Sequence, residues 1–156
     1  MATKKMAIIA TKGTLDMAYP PLILASTAAA LGWDVQIFFT FYGLQLLRKN
    51  LDGIKISPLA NPAMPMPVPM PVIVSVLPGM EAMATMMMKD KMKKKGVASL
   101  EELRSLCLEA DVKFIACQMT VDLFEFQTSD FIDGIEYGGA ATFMKFAGET
   151  DVCLFI

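Results

Sequence analysis

The sequence predicts an α/β fold built on a mainly parallel sheet, and three observations carry that expectation. Short apolar runs rich in β-branched and aromatic residues recur along the chain, and segments with helical spacing separate them. Strands that alternate with helices favour parallel pairing, because each crossover returns the chain to the same edge of the sheet. The composition, 54% hydrophobic with a mean hydropathy of +0.48, is high for a soluble monomer. It suits a sheet with helices on both faces plus a subunit interface. At 156 residues the chain is expected to be a single domain, large enough to bury a real core.

The first strand is read at Met6–Ala10, ending in the turn Thr11-Lys12-Gly13-Thr14. Pro20 and Pro21 suit the first turn of a helix, where a missing N–H costs little, so the first helix is placed from there through Leu31 to Gly32. Asp34–Thr40 is the second strand, and a short helix is expected over Gly43–Lys49. Asn61–Pro71 alternates proline with methionine or valine, which denies it a continuous hydrogen-bond ladder and favours extended backbone. Val72–Leu77 fits a strand or a helical turn equally. Gly79-Met80-Glu81 opens a helix that puts Met80, Met83, Met87 and Met88 on one face; lysines at 89, 91 and 93–95 complement its C-terminal dipole before Gly96 ends it.

Ser99-Leu100-Glu101-Glu102 is a capping box, and the helix it starts should turn Leu100, Leu103, Leu106, Cys107 and Ala110 towards the core. Val112–Cys117 is a third strand, followed by a short helix from Thr120. Asp133–Gly139 reads as a strand end and turn, Ala140–Phe146 as the last helix and Asp151–Ile156 as the last strand.

Composition also excludes chemistry. The chain has no histidine, which removes Ser-His and Cys-His mechanisms within one chain. Three cysteines without a C-x-x-C pair suggest neither a disulfide framework nor structural zinc, so no metal or other cofactor is expected. No G-x-G-x-x-G or G-x-x-x-x-G-K-[ST] phosphate cradle is present. A net charge of −2 gives no reason to expect nucleic acid. Lys4 and Lys5 precede only a brief apolar run, so a secretory signal is not expected and the cytoplasm is the expected compartment. Pro20–Trp33 is too short to span a membrane.

In open parallel sheets, ligands bind at the carboxyl ends of the strands. Those ends supply Lys12, Gly13 and Thr14, then Tyr42, then Cys117 with Gln118 and Met119. Cys117 leaves a buried strand just before a helix, where the local positive field lowers a thiol pKa, and Lys12 would act in the same direction if it came within reach. The plain alternative is an inert, buried thiol, and position alone leaves both open. Cys107, on an apolar helix face, and Cys153, mid-strand, are expected in the core. Only Arg48 and Arg104 are arginines, so no arginine-closed phosphatase-like or rhodanese-like loop surrounds Cys117.

Several separated segments resemble the DsrE/DsrF-like family: Lys12-Gly13-Thr14-Leu15-Asp16-Met17-Ala18-Tyr19-Pro20-Pro21, then Ile37–Gly43, Leu77–Met80 and Phe114–Thr120. The similarity covers nearly the whole chain and is nearest the DsrE branch with a Pro/Met-rich insertion, at about residues 60–78 here. The resemblance implies a flavodoxin-like three-layer sandwich of about five strands and a homo-oligomer. It also implies an intracellular sulfur relay in which Cys117 carries sulfane sulfur as a persulfide to a thiol partner such as a TusA-like carrier. Lys12, Gly13, Thr14, Tyr42, Gln118 and Met119 would then bind the anion or substrate. The alternative is a non-catalytic oligomeric scaffold, or a module that docks on a partner or a membrane surface, using the Pro/Met loop and the Met/Lys helix. Membrane contact is the less favoured form of that alternative.

Overall fold

A computed structural model describes residues 2–57, 67–68 and 71–156. Five strands form one sheet: β1 (Lys5–Ala10), β2 (Asp34–Phe39), β3 (Lys113–Cys117), β4 (Glu136–Gly138) and β5 (Val152–Phe155). Their order is β4-β3-β2-β1-β5, and every pairing is parallel. The helices are α1 (Leu15–Ala30), α2 (Val72–Ser75), α3 (Met80–Lys94), α4 (Leu100–Glu109), α5 (Gln118–Leu123) and α6 (Ala140–Ala147). The α/β sandwich expected from the sequence is therefore the observed fold. The expected extended run over Asn61–Pro71 lies mostly outside the described residues.

Alternation along the strands sends side chains to two different cores. Ile8, Ile37, Phe39, Phe114 and Ala116 face a large core with α1 and α4, whereas Ala7, Phe38, Ile115 and Cys117 face a smaller one closed by Phe143 of α6. Phe38 and Phe143 stack at 4.9 Å, and α6 lies across β1, β2 and β3 on this face of the sheet. The Cys117 thiol thus belongs to the α6 side.

Several element boundaries differ from expectation, each for a tertiary reason. Helix α1 starts at Leu15, so Pro20 and Pro21 lie inside it and not in its first turn. The early start is held from outside: the Leu15 N–H donates to the Lys55 carbonyl at 2.8 Å, and Asp16 accepts from the Ser57 amide and hydroxyl at 3.1 and 2.7 Å. Leu15, Ala18 and Tyr19 are buried by that turn, which offsets the two donors the prolines lack. The short helix after β2 is a 3₁₀ segment over Phe41–Leu47, and within the ambiguous Val72–Leu77 run the helical alternative holds as the single turn α2, Val72–Ser75.

Two helix faces are rotated from their expected phase. In α3 the inward side carries Met80, Ala84, Met88 and Met92, while Met83 and Met87 are exposed. In α4 the capping box is present as expected, with Ser99 and Glu102 exchanging backbone-to-side-chain bonds of 2.7 and 3.2 Å. Leu100, Leu103 and Cys107 point inward, but Leu106 and Ala110 do not; Arg104 is buried instead. Its Nη1 donates to the carbonyls of Leu46 and Arg48 at 2.9 and 2.6 Å, satisfying orphan acceptors at the end of the 3₁₀ segment. A further correction concerns Cys153. It is exposed, because β5 is an edge strand whose Cys153 and Phe155 side lies beyond the reach of α6. No helix among the described residues is long and apolar enough to cross a membrane.

Candidate functional site

The carboxyl ends of β1, β2 and β3 are brought together by two glycines. A side chain on Gly43 would collide with the Ala10 carbonyl oxygen, and its Cβ would lie 2.8 Å from the Ala10 carbonyl carbon. A Cβ on Gly13 would lie 2.5 Å from the Tyr42 carbonyl oxygen. The loop after β1 and the 3₁₀ segment after β2 therefore touch backbone to backbone, a contact only glycine permits. The Thr40 N–H donates to Ala10 at 3.1 Å and the Gly43 N–H to Thr40 at 3.0 Å, which closes the turn.

That turn faces Cys117, the last residue of β3 and the N-cap of α5. In the parallel register Phe39 stands level with Ala116, so Thr40 follows beside Cys117. Thr120, three residues after Cys117, comes up from the first turn of α5 and is fully buried. Its Oγ1 lies 3.2 Å from the Thr40 Oγ1 and accepts from the Phe41 N–H at 3.2 Å. Phe41 adopts a positive φ of 48°, uncommon for a bulky residue, so its amide reaches Thr120 by way of a strained conformation.

Cys117 itself is only 4% exposed. Burial pushes its thiol up, while the nearby Thr120 hydroxyl and amide, the Thr40 hydroxyl and the Met119 amide act in the opposite direction. Their combined effect prevails, and the thiol sits below its ordinary value. No short cap bond closes on the sulfur, and α5 is only six residues long, so local donors matter more here than a helix macrodipole. Cys107 is the opposite case: it is buried, donates to the Leu22 carbonyl at 3.4 Å, and burial pushes its thiol up to about 12.

This contrast predicts a pH profile. Alkylation of Cys117 by iodoacetamide, located by peptide mass mapping, is expected to rise at a midpoint below the ~8.5 of a free cysteine. Cys107 should stay unmodified over the same range while the protein is folded. A Cys117 midpoint at or above the free value would mean that burial outweighs the donors. The sign for stability follows: a thiol pKa depressed by folding stabilises the fold above the unfolded-state value, and that contribution is lost as pH falls through the folded-state value.

The other residues expected at the site divide into two groups. Lys12, Gly13, Thr14 and Tyr42 line one open hollow of about 580 Å3, together with Asp16, Met17, Gln45 and Ser57. Gln118 and Met119 flank Cys117 at the start of α5. Gln118 is exposed and donates to Asp122 at 2.8 Å, and Met119 is 61% exposed. Lys12 is not among the groups acting on the sulfur. Strand β2 separates it from β3, and two strand spacings amount to roughly 10 Å. Tyr42 links the two groups: it walls the hollow and stacks on Phe124 at 6.0 Å, and Phe124 meets Phe41 edge-on at 6.5 Å.

Thr40, Thr120 and Phe124 were not singled out from the sequence. One signal for Thr120 was there: it stands at N3 of a helix whose N-cap is Cys117, the spacing at which a residue faces the cap side chain. Nothing local marks Thr40. Among the described residues, no group of three or more His, Cys, Asp or Glu side chains is placed to hold a metal ion.

The model of the DsrE/DsrF/DrsH-like family matches residues 2–155. The chain is 66% identical over 160 residues to "Sulfur carrier protein DsrE2" of Allochromatium vinosum, covering 100% of both. It is 34% identical over 158 residues to the uncharacterized protein YrkE of Bacillus subtilis, covering 99% of this chain and 98% of that one. The crystal structure of the ychN protein from E. coli superposes with a TM-score of 0.61 at 14% identity, covering 99% and 100% of the two chains; it shares the fold.

Proposed function

The chain belongs to the DsrE/DsrF/DrsH-like family, and from that premise we propose that it is a cytoplasmic sulfur carrier working through Cys117. The observation that carries the reading is a thiol at the end of β3 that caps α5, with Thr40 beside it in the sheet and Thr120 at N3 of the helix, and with its pKa lowered by these neighbours. A sulfur carrier needs a thiolate as nucleophile, and later a stabilised persulfide anion.

In the loading step, the Cys117 thiolate attacks the outer sulfur of a persulfide R–S–SH. A bond forms between Cys117 Sγ and that sulfur while the donor's S–S bond breaks; R–S leaves with the electron pair and takes the proton of the outer sulfur as R–SH, leaving the Cys117 persulfide anion. No net oxidation occurs. In unloading, an acceptor thiolate attacks the terminal sulfur and Cys117 departs as thiolate. A TusA-like carrier or another thiol protein would be the exchanging partner. The exposed Phe41, Tyr42, Met119 and Phe124 offer it an apolar rim beside the sulfur. The hollow of Lys12, Gly13, Thr14 and Tyr42 would hold an anionic part of the donor and not the transferred sulfur itself.

The test is treatment with polysulfide followed by intact-mass and peptide-mass measurement. Added sulfur should map to Cys117. Equal loading of wild type and Cys117→Ser, or loading confined to the exposed Cys153, overturns the reading.

A second reading is favoured by one surface. Val72 and Ile73 on α2, Val76 and Leu77 just after it, and Met83, Met86 and Met87 on α3 are all exposed, and exposed apolar side chains gathered on neighbouring elements mark an interaction surface. On this reading the face assembles copies of the chain. Val76→Asp combined with Met86→Asp should then lower the mass found by sedimentation equilibrium. An unchanged mass removes this face as the assembly surface.

A further inference from the structure

We propose that Thr40 and Thr120 are positioning residues that keep one hydroxyl proton directed at the Cys117 sulfur, and so hold it as an anion before and after it takes up sulfur. The proposal deepens the sulfur-carrier reading and rests on it for its purpose, though not for its geometry.

The argument is one of counting donors. The two hydroxyl oxygens lie 3.2 Å apart, so one hydroxyl donates to the other. The Thr120 oxygen already accepts from the Phe41 N–H. If Thr40 donates to Thr120, the Thr120 proton remains; if Thr120 donates to Thr40, the Thr40 proton remains. Either way the pair consumes one proton and leaves one. The register of β2 and β3 sets Thr40 beside Cys117, and Thr120 stands at N3 of the helix that Cys117 caps, so the acceptor assigned to that proton is the Cys117 sulfur.

The device suits a carrier better than a lysine would. A neutral hydroxyl favours the anion without forming an ion pair that must be broken when the sulfur leaves. Two rotatable hydroxyls can also follow the charge as it moves from Sγ to the terminal sulfur of a persulfide. Thr120 lies on α5 and Thr40 at the end of β2, so the pair ties together the two elements that flank the thiol. The Phe41 amide joins through the same oxygen, which links the sulfur's surroundings to the aromatic rim.

The experiment uses the full chain with Cys153→Ser, so that Cys117 is the titrating thiol below pH 10 or so. Thiolate ultraviolet absorbance is followed against pH for the parent, Thr120→Val, Thr40→Val and Thr120→Ser. Each single valine leaves the other hydroxyl its proton but removes the partner that orients it. It is expected to raise the midpoint by up to about one unit, at most a tenfold loss of thiolate at neutral pH, with a matching fall in the polysulfide loading rate; the double valine variant should shift at least as far. Thr120→Ser keeps the hydroxyl and should stay near the parent, although it removes a buried methyl group.

A purely structural role would reverse that order, because valine preserves the volume and serine does not. Unchanged midpoints in folded valine variants overturn the proposal, as does a serine variant shifted as far as valine. If Thr120→Val fails to fold, Thr40→Val decides the matter alone, since Thr40 does not hold the Phe41 amide. Shifted midpoints in a chain that takes up no sulfur at Cys117 would uphold the threonine pair and reject the carrier function.

Discussion

Replacing Cys117 with serine is expected to abolish stable sulfur uptake while leaving the fold intact. Serine differs by one atom, and its hydroxyl would sit among the same donors from Thr40, Met119 and Thr120, so no polar group is orphaned. The small core of Ala7, Phe38, Ile115 and Phe143 loses little volume. Neither remaining thiol has the setting of Cys117. Cys107 is fully buried, and its thiol is held near 12, so its thiolate is negligible at neutral pH. Cys153 is exposed, but it stands on the edge strand β5, and β1 and β2 lie between it and β3. In a Cys153→Ser background, polysulfide treatment should therefore add sulfur to the parent and at most a trace to the Cys117→Ser variant, with superimposable circular dichroism spectra. Wild-type loading in the variant would end the case for Cys117.

The second large effect is structural. Gly43→Ala should destabilise the protein by about 3 kcal/mol or more, because the new methyl group meets backbone and not a side chain that can swing away. For a chain of this length that is a fall in melting temperature of about 6–12 °C. The damage should also reach function. To clear the Ala10 carbonyl, the 3₁₀ segment must move off β1, and Thr40 and Phe41 lie at its start. Moving them withdraws donors from the sulfur and raises the Cys117 midpoint. A melting temperature within about 2 °C of wild type would show that the two loops separate at little cost. Gly32→Ala is the control: Gly32 has open space around it, so it brings only the strain of its own positive φ and should leave the thiol titration unchanged.

Both effects act through features that differ in how far the sequence reveals them. Cys117 was legible because a buried strand ending in cysteine before a helix is a local pattern, and because the surrounding Phe114–Thr120 segment matches a family. The capping box at Ser99–Glu102 was legible for the same reason, since its two bonds span three residues. The phase of α3 and α4 was not. Several rotations of each helix bury apolar groups, and in α4 the observed one lets Arg104 reach the carbonyls of Leu46 and Arg48, more than fifty residues away.

Cys153 shows the same limit for strands. An apolar run reads alike at the centre and at the edge of a sheet, and only strand order decides whether a helix covers it. The order here places β5 outside β1, so the expected core cysteine faces outward.

By itself, then, the sequence determined the α/β class, the succession of strands and helices, and the one cysteine worth testing. All of these follow from short-range periodicity and from motifs a few residues long. The tertiary structure alone decided what surrounds that cysteine. Thr40 and Thr120 are eighty residues apart and meet because β2 pairs with β3 in one register. Lys12 follows β1, with β2 standing between that strand and β3. Contacts of that kind arise from the pairing of distant segments, and no local pattern encodes which segments will pair.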